Sequence, residues 1–354
     1  MLNKERDIKA IREFLSSDYT SCILDDYGSA GINNLKVILE IIPTIFKFVH
    51  LRNFSSVTIF KSDSFNLSER FSNCSNIQNF SHLGSFNSDN LVIQVRSLDE
   101  VLVSTSEITV TDIVPTDFVY QYTPLKEQFY TKTTTCELPQ VPGTDSCFAI
   151  STFKSLEEAL YHYKTTVVKC ADCLHIKTAL HSDERIFFKP HPEYLLRDSM
   201  VYFLKARLRG EGLEVRPEQA VDTSHPVDVK VTWGFTNHIA LIEIKWLGKS
   251  LNSDTQTFTS NYTDSRARDG AKQLAEYLDA NAIQVPNHNT MGYLVVFDLR
   301  RKSTKEDTTQ IDIANGHWYE NKEITYNPKY HDVRKDFAPP TRMFITPQCI
   351  PNEN

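Results

Sequence analysis

PVDVKVTWGFTNHIALIEIKW, residues 226–246, is the stretch whose reading decides the fold. Two strand-like runs, Val227 to Trp233 and Ile239 to Trp246, flank the connection Gly234-Phe235-Thr236-Asn237. Apolar residues recurring at every second position mark a strand. Gly and Asn in so short a connection supply the positive φ angles of a tight turn. The stretch reads as an antiparallel hairpin. Centring its turn between Phe235 and Thr236 places Asp228 opposite Glu243, with Cβ atoms roughly 5 Å apart. Lys245, two residues beyond Glu243, projects from the same face.

The opposite face takes Val227, Val229, Val231 and Trp233 from one strand and Ala240, Ile242, Ile244 and Trp246 from its partner. It is apolar throughout and is expected to pack on a helix. Two carboxylates opposed across a sheet repel each other, and a divalent cation between them reverses the sign of that interaction. Mg²⁺ takes hard oxygen ligands and keeps several waters, so Asp228, Glu243 and the backbone carbonyl of Ile244 are a sufficient set. Such an ion polarises a phosphodiester and lowers the pKa of an attacking water. Lys245 is then placed to orient that water or to stabilise the developing negative charge. The bland alternative is a solvated charged face, since Glu-x-Lys is common at strand ends.

Working outward, Pro192 to Leu208 has helical periodicity, with Leu196, Met200, Phe203, Leu204 and Leu208 along one side and Gly210 and Gly212 beyond its end. Leu213 to Arg216 reads as a further strand. After the hairpin comes a helix over Ala267 to Leu278, with Ala267, Ala271, Leu274 and Leu278 buried and Arg266, Gly270, Gln273 and Tyr277 as an adjacent stripe. Gln273 is either a ligand for water or phosphate at the site or an ordinary amide at a helix rim. GYLVVFDL, from Gly292 to Leu299, is a strand. The order is α-β-β-β-α-β.

PVDVKV…ALIEIKW, followed by GAKQLAEYL and GYLVVFD, resembles the PD-(D/E)XK nuclease superfamily over about residues 190–300. The resemblance implies an α/β fold with a restriction endonuclease-like αβββαβ core. It implies an endonuclease dependent on Mg²⁺, with Mn²⁺ as a substitute, acting on nucleic acid, DNA favoured, in a prokaryotic defence or restriction setting. The superfamily's metal-binding Asp and Glu match Asp228 and Glu243, and its catalytic Lys matches Lys245. Its helix acid matches Glu193, with Asp198 a second candidate, and its helix Gln matches Gln273. Glu218 resembles an extra acid of some branches. One departure is that Val227 separates the motif's Pro226 from Asp228.

The chain has 354 residues, 40% of them hydrophobic and 23% charged, enough for two domains with their own cores. A net charge of -7 gives no global attraction to nucleic acid, so phosphate contacts need a local basic patch. Arg266, Arg268 and Lys272 are the candidates nearest the site. Lys205, Arg207 and Arg209, and Arg300, Arg301 and Lys302, are further clusters in the same domain. Residues 1–150 read as a separate mixed α/β domain, with a helix from about Lys4 to Leu15 and a buried, Pro-kinked helix around Leu35 to Leu51. Its strands are SVTIF (56–60), NLVIQV (90–95) and DFVYQY (117–122), with loops over Ser62–Asn90 and a boundary region at Thr123–Gly143. It carries no catalytic motif and is the expected sensing, regulatory or partner-binding part. Residues 151–190 are expected to connect, with a bridging helix near Leu156 to Lys164, and 191–354 to hold the nuclease-like domain.

The opening MLNKERDIKAIREFL is charged and amphipathic rather than a signal peptide, and no stretch is long and apolar enough to span a bilayer. Seven scattered cysteines fit a reducing, cytoplasmic location and no membrane partner. Cys170, Cys173 and His175 lack a fourth ligand for a zinc site. A homo-oligomer is left open. The alternatives are a non-catalytic module that binds nucleic acid or a subunit, and a zinc-dependent interaction protein.

Overall fold

The structure, a computed structural model, describes residues 4–62, 64–141, 143–210, 212–220, 226–234 and 236–350, with only the backbone for 4–19 and 220. The chain is mixed α/β, with two mixed sheets in two compact units. The first unit comprises Met1–Lys154, Thr236–His238 and Asn287–Asn289, and the second comprises the rest. Among the described residues, no helix is long and apolar enough to cross a membrane.

In the first unit, helix α1 (Lys4–Ile45) precedes β1 (Ser56–Phe60), α2 (Leu67–Arg70), β2 (Ser75–Ile77), β3 (Asn90–Ser97) and β4 (Glu100–Ser104). Then come α3 (Val110–Ile113), β5 (Val119–Tyr122), β6 (Glu127–Tyr130) and β7 (Thr135–Glu137). The sheet order is β2-β4-β3-β1-β5-β6-β7, parallel only between β1 and β3. Ile38, Ile42 and Ile45 of α1 share one core with Val57, Ile59, Ile93, Tyr120 and Phe129 of the sheet. The Pro kink expected over 35–51 is corrected. The break lies at Gly28 (φ 66°, ψ −159°), where no Cβ opposes a left-handed backbone, and the helix ends at Ile45. Pro43 sits in the last turn, where its missing N–H removes a single link. The boundary expected at 123–143 is corrected too, because β6 and β7 extend the sheet. Glu127 is buried there, accepting from the Tyr120 hydroxyl (2.7 Å), the Ser146 hydroxyl (2.9 Å) and the Cys147 N–H (2.9 Å).

The second unit begins within α4 (Phe153–His162), at Ser155; the helix runs on into a π-helical turn at Tyr163–Val168, and α5 (Leu174–Ala179) follows. Leu156, Leu160, Tyr163, Val168, Ile176 and Ala179 are all buried, so residues 151–190 are packed helices rather than a bare connection. Next come α6 (Glu193–Arg207), β8 (Leu213–Ala220), β9 (Pro226–Trp233), β10 (His238–Leu251) and β11 (Phe258–Tyr262). They are followed by α7 (Asp264–Gln284), β12 (Asn289–Asp298), α8 (Ile313–Gly316), α9 (Tyr330–Val333) and β13 (Thr341–Phe344). The order is α6, β8, β9, β10, β11, α7 and β12, the expected α-β-β-β-α-β succession with a fourth strand, β11, inserted before α7. The sheet runs β13-β12-β10-β9-β8, with β11 paired to β10, and β13 lies parallel to β12.

Candidate functional site

The hairpin has the expected register. Ile239 pairs with Thr232, Ala240 with Val231, Leu241 with Lys230 and Ile242 with Val229. The ladder ends there, one step short of Asp228 and Glu243, which the same register extended would set opposite each other; Phe235 of the turn lies outside the described residues. Asp228 Oδ2 accepts a 2.7 Å hydrogen bond from the Ile244 N–H, which fixes its carboxylate over β10. Lys245 Nζ donates to Glu243 Oε1 at 2.5 Å. Glu243 is 2% exposed and Lys245 5%.

That burial shows that the charged face is covered as well as the apolar one. Helix α7 covers the face bearing Glu243 and Lys245, where Ile239, Leu241 and Leu247 share a core with Ala267, Ala271 and Leu274 of α7. Val227 joins that core too. The Val229, Val231, Ala240, Ile242, Ile244 and Trp246 face is also buried, so β10 is enclosed on both sides. Gly270 lets the helix approach, since a Cβ there would lie 2.5 Å from Lys245 Cγ and 3.1 Å from its Cε. The sequence stripe contains this glycine, but nothing in it shows that the lysine stem fills the space.

Charge at the site is under-compensated. Burial, then the neighbouring Asp228, pushes the Glu243 carboxyl up to about 8. Burial also raises Asp228, against the Ile244 N–H and Lys245, which favour its charged form. Glu193, at the first turn of α6, adds negative charge at both acids. It pairs at 3.8 Å with Arg266, whose guanidinium lies 4.9 Å from the Tyr262 ring centroid. Arg266 Nε is buried with no hydrogen-bond partner. Asp198 and Glu218, the other candidate acids, both pair with Arg197, a residue the sequence reading passed over. Arg197 lies one helical turn after Glu193, and its charge favours the ionised form of Asp228.

Gln273 donates to the Tyr277 hydroxyl at 2.6 Å, and Tyr277 donates to the Pro226 carbonyl at 3.2 Å. The amide thus ties α7 to β9 two residues before Asp228. Arg268 is exposed, with one long contact to the Thr325 carbonyl (3.4 Å), and Lys272 is exposed beside Glu276 (3.8 Å). The structure therefore brings Arg266 to the acids but not Arg268 or Lys272. The cluster Lys205, Arg207 and Arg209 lies at the far end of α6 from Glu193, roughly 20 Å away by helical rise. Arg300 and Arg301 are buried and bonded within the unit, so they do not form an open basic patch. The Cys173 thiol caps α5 through the Ile176 N–H and meets the Ser199 hydroxyl at 3.0 Å, and Cys170 is exposed.

Compared with known protein families, curated proteins and solved structures, the chain matches none. The local geometry must carry the reading. Among the described residues, no three or more His, Cys, Asp or Glu side chains form a metal-ligating group. The opposed pair is a smaller donor set. Among those residues, Asp228 Oδ1 and Glu243 Oε2 accept no hydrogen bond, which leaves one oxygen of each acid open to a cation. Two desolvated carboxylates, Glu243 raised further by Asp228 and both by Glu193, fit a hard divalent ion that completes its shell with water.

Proposed function

We propose that the second unit is a Mg²⁺-dependent nuclease of the PD-(D/E)XK type, built on a restriction endonuclease-like core and hydrolysing phosphodiester bonds, DNA favoured. The observation that supports it most is the set of buried Glu243 and Lys245 with half-buried Asp228, with an open oxygen on each acid and an ammonium beside them. Asp228, Glu243 and the Ile244 carbonyl would hold the ion, with Mn²⁺ as a substitute, and Glu193 stands near enough to add negative charge. The ion would supply Lewis acidity toward the phosphodiester and a nucleophilic water at neutral pH.

The protein's own groups do the positioning. The Ile244 N–H holds Asp228 in one orientation. Lys245 Nζ stands 2.5 Å from Glu243 Oε1, where it can donate to charge developing on a phosphate oxygen. Arg266 offers a buried, unpartnered Nε–H to a phosphate. Enclosure by α7 lowers the local dielectric and strengthens each of these interactions.

Supercoiled plasmid and a matched RNA, incubated with Mg²⁺, Mn²⁺ or a chelator, test this reading. Wild type should cut one of them only with the metal, and Asp228→Asn and Lys245→Ala should both be silent. Metal-independent cutting, or variants as active as wild type, would sink it. A purified chain that binds nucleic acid equally with and without Lys245 and never cuts would instead be a non-catalytic module.

A further inference from the structure

A second charged cavity lies in the same unit, beyond the acids along β10. It measures about 270 Å³, and its wall includes Gly248, Lys249, Thr263, Arg300, Arg301 and Lys302, with no Asp or Glu in the lining. Gly248 is required there. Its φ is +124°, and a Cβ would lie 3.0 Å from the Leu299 carbonyl atoms, so a side chain would strain the wall.

The four cations are unequally compensated. Arg300 is neutralised by Asp298 and Asp264. The other three have no carboxylate within ion-pair distance among the described residues. Arg301 is 7% exposed and donates only to the carbonyls of Arg185, Arg300 and Ile345. Lys249 Nζ donates to the Thr304 carbonyl at 2.6 Å and lies 4.5 Å from the Phe258 ring centroid. Lys302 stands 3.4 Å from that of Trp318. Carbonyls and rings orient a cation without cancelling its charge. A buried cation with no counter-ion is costly, and burial pushes Arg301 down to about 10.

We propose that this cavity binds a phosphate group, carried by a nucleotide or by a nucleic-acid strand, with Lys249, Arg301 and Lys302 as its counter-charges. A phosphate has several acceptor oxygens, and each lysine ammonium has three donors to share. The size is just under the range of about 300–1,000 Å³ usual for small-molecule sites. The inference does not rest on the nuclease reading, because none of its three cations belongs to the acid site.

Calorimetric titration of the full chain, in low salt with a chelator present, tests it with three probes. These are inorganic phosphate, a 5′-mononucleotide and a short 5′-phosphorylated single-stranded oligonucleotide. Wild type should bind phosphate saturably. Lys249→Gln and Lys302→Gln should each weaken binding about tenfold or more, with unchanged melting and circular dichroism, and Lys249→Arg should restore most of it. Tighter binding of the mononucleotide than of the oligonucleotide would identify a free nucleotide as the source, and the reverse order a strand. Absence of saturable binding by any probe, or equal affinity in wild type and both glutamine variants, would overturn the proposal. Asp228→Asn should bind phosphate as wild type does, so loss of cleavage and loss of this site remain separable.

Discussion

Glu243 is held where its own ionisation costs stability. Its carboxyl is pushed up to about 8 by burial and by Asp228, against an ordinary 4.5. Because the folded value is the higher one, the stabilising contribution is complete below about pH 4.5. It is lost as the pH rises through 8. Glu243→Gln removes that loss. Without divalent ion at pH 9, the variant should melt a few degrees above wild type, the gap closing towards pH 4.5 and cleavage being absent throughout. Added Mg²⁺ should raise the melting temperature of wild type but not of the variant, and scanning calorimetry reads both. A variant that melts lower at pH 9 would show that the carboxylate is not under strain. Gly270 gives a second residue-scale test. In Gly270→Ala the new Cβ meets Lys245 Cγ at 2.5 Å and Leu294 Cδ1 at 3.1 Å. Overpacking of about 1–3 kcal/mol is partly offset by the helix propensity of Ala, up to about 1 kcal/mol. The fold should survive urea titration with little loss. Displacement of Lys245 should lower kcat about 100-fold with little change in KM.

At the scale of elements, the hairpin was legible because a two-residue alternation and a Gly/Asn turn determine register together. The pairing of Ile242 with Val229 shows that they did. Alternation says which residues share a face, but not what covers it. A helix was expected over the apolar face, but nothing in the alternation foretold that α7 would also cover the charged one, admitted by Gly270 and by Ile239, Leu241 and Leu247 around the charges. β11 and β13, five and four residues long, are too short to show periodicity. Arg300 looked like an open phosphate contact because sequence shows charge and not burial. In the structure Asp298, fully buried at the end of β12, accepts from Arg300 Nε (2.9 Å), Arg300 Nη2 (2.7 Å) and Arg342 Nε (2.6 Å). Arg342 also reaches the Lys322 carbonyl at 2.8 Å, so the network joins β12 and β13 to the loop before α9. Asp298→Ala removes a buried carboxylate shared by two guanidinium groups. It should cost about 3–5 kcal/mol in urea unfolding. Asp264→Ala, whose side chain is 36% exposed, should cost distinctly less.

For the whole molecule, the two halves differ in how far sequence could reach. The second carries opposed acids whose spacing has a chemical meaning, while the first shows only strands and helices, and burial patterns name no ligand. Its distinctive chemistry is a buried pair that spacing could not reveal, because His50 and His238 are far apart in the chain. Their ring centroids are 6.1 Å apart, with Phe153 about 5 Å from each, and they are 4% and 5% exposed. His50 Nε2 and His238 Nδ1 have no hydrogen-bond partner among the described residues. Burial, then neighbouring positive charge, depresses both, His238 to about 4. Their folded values lie below the ordinary 6.5, so the stability they leave intact above pH 6.5 is lost as the pH falls towards 4. Glu127, in the same unit, is raised by burial and pulls in the opposite direction, so only a difference between proteins isolates the histidines. His50→Phe combined with His238→Phe should melt with a shallower dependence on pH than wild type between 6.5 and 4. The melting curves, followed by circular dichroism, should converge or cross as acid is added. Curves that stay parallel across that window would mean that the two rings take up no proton on unfolding, and that their burial costs nothing in acid.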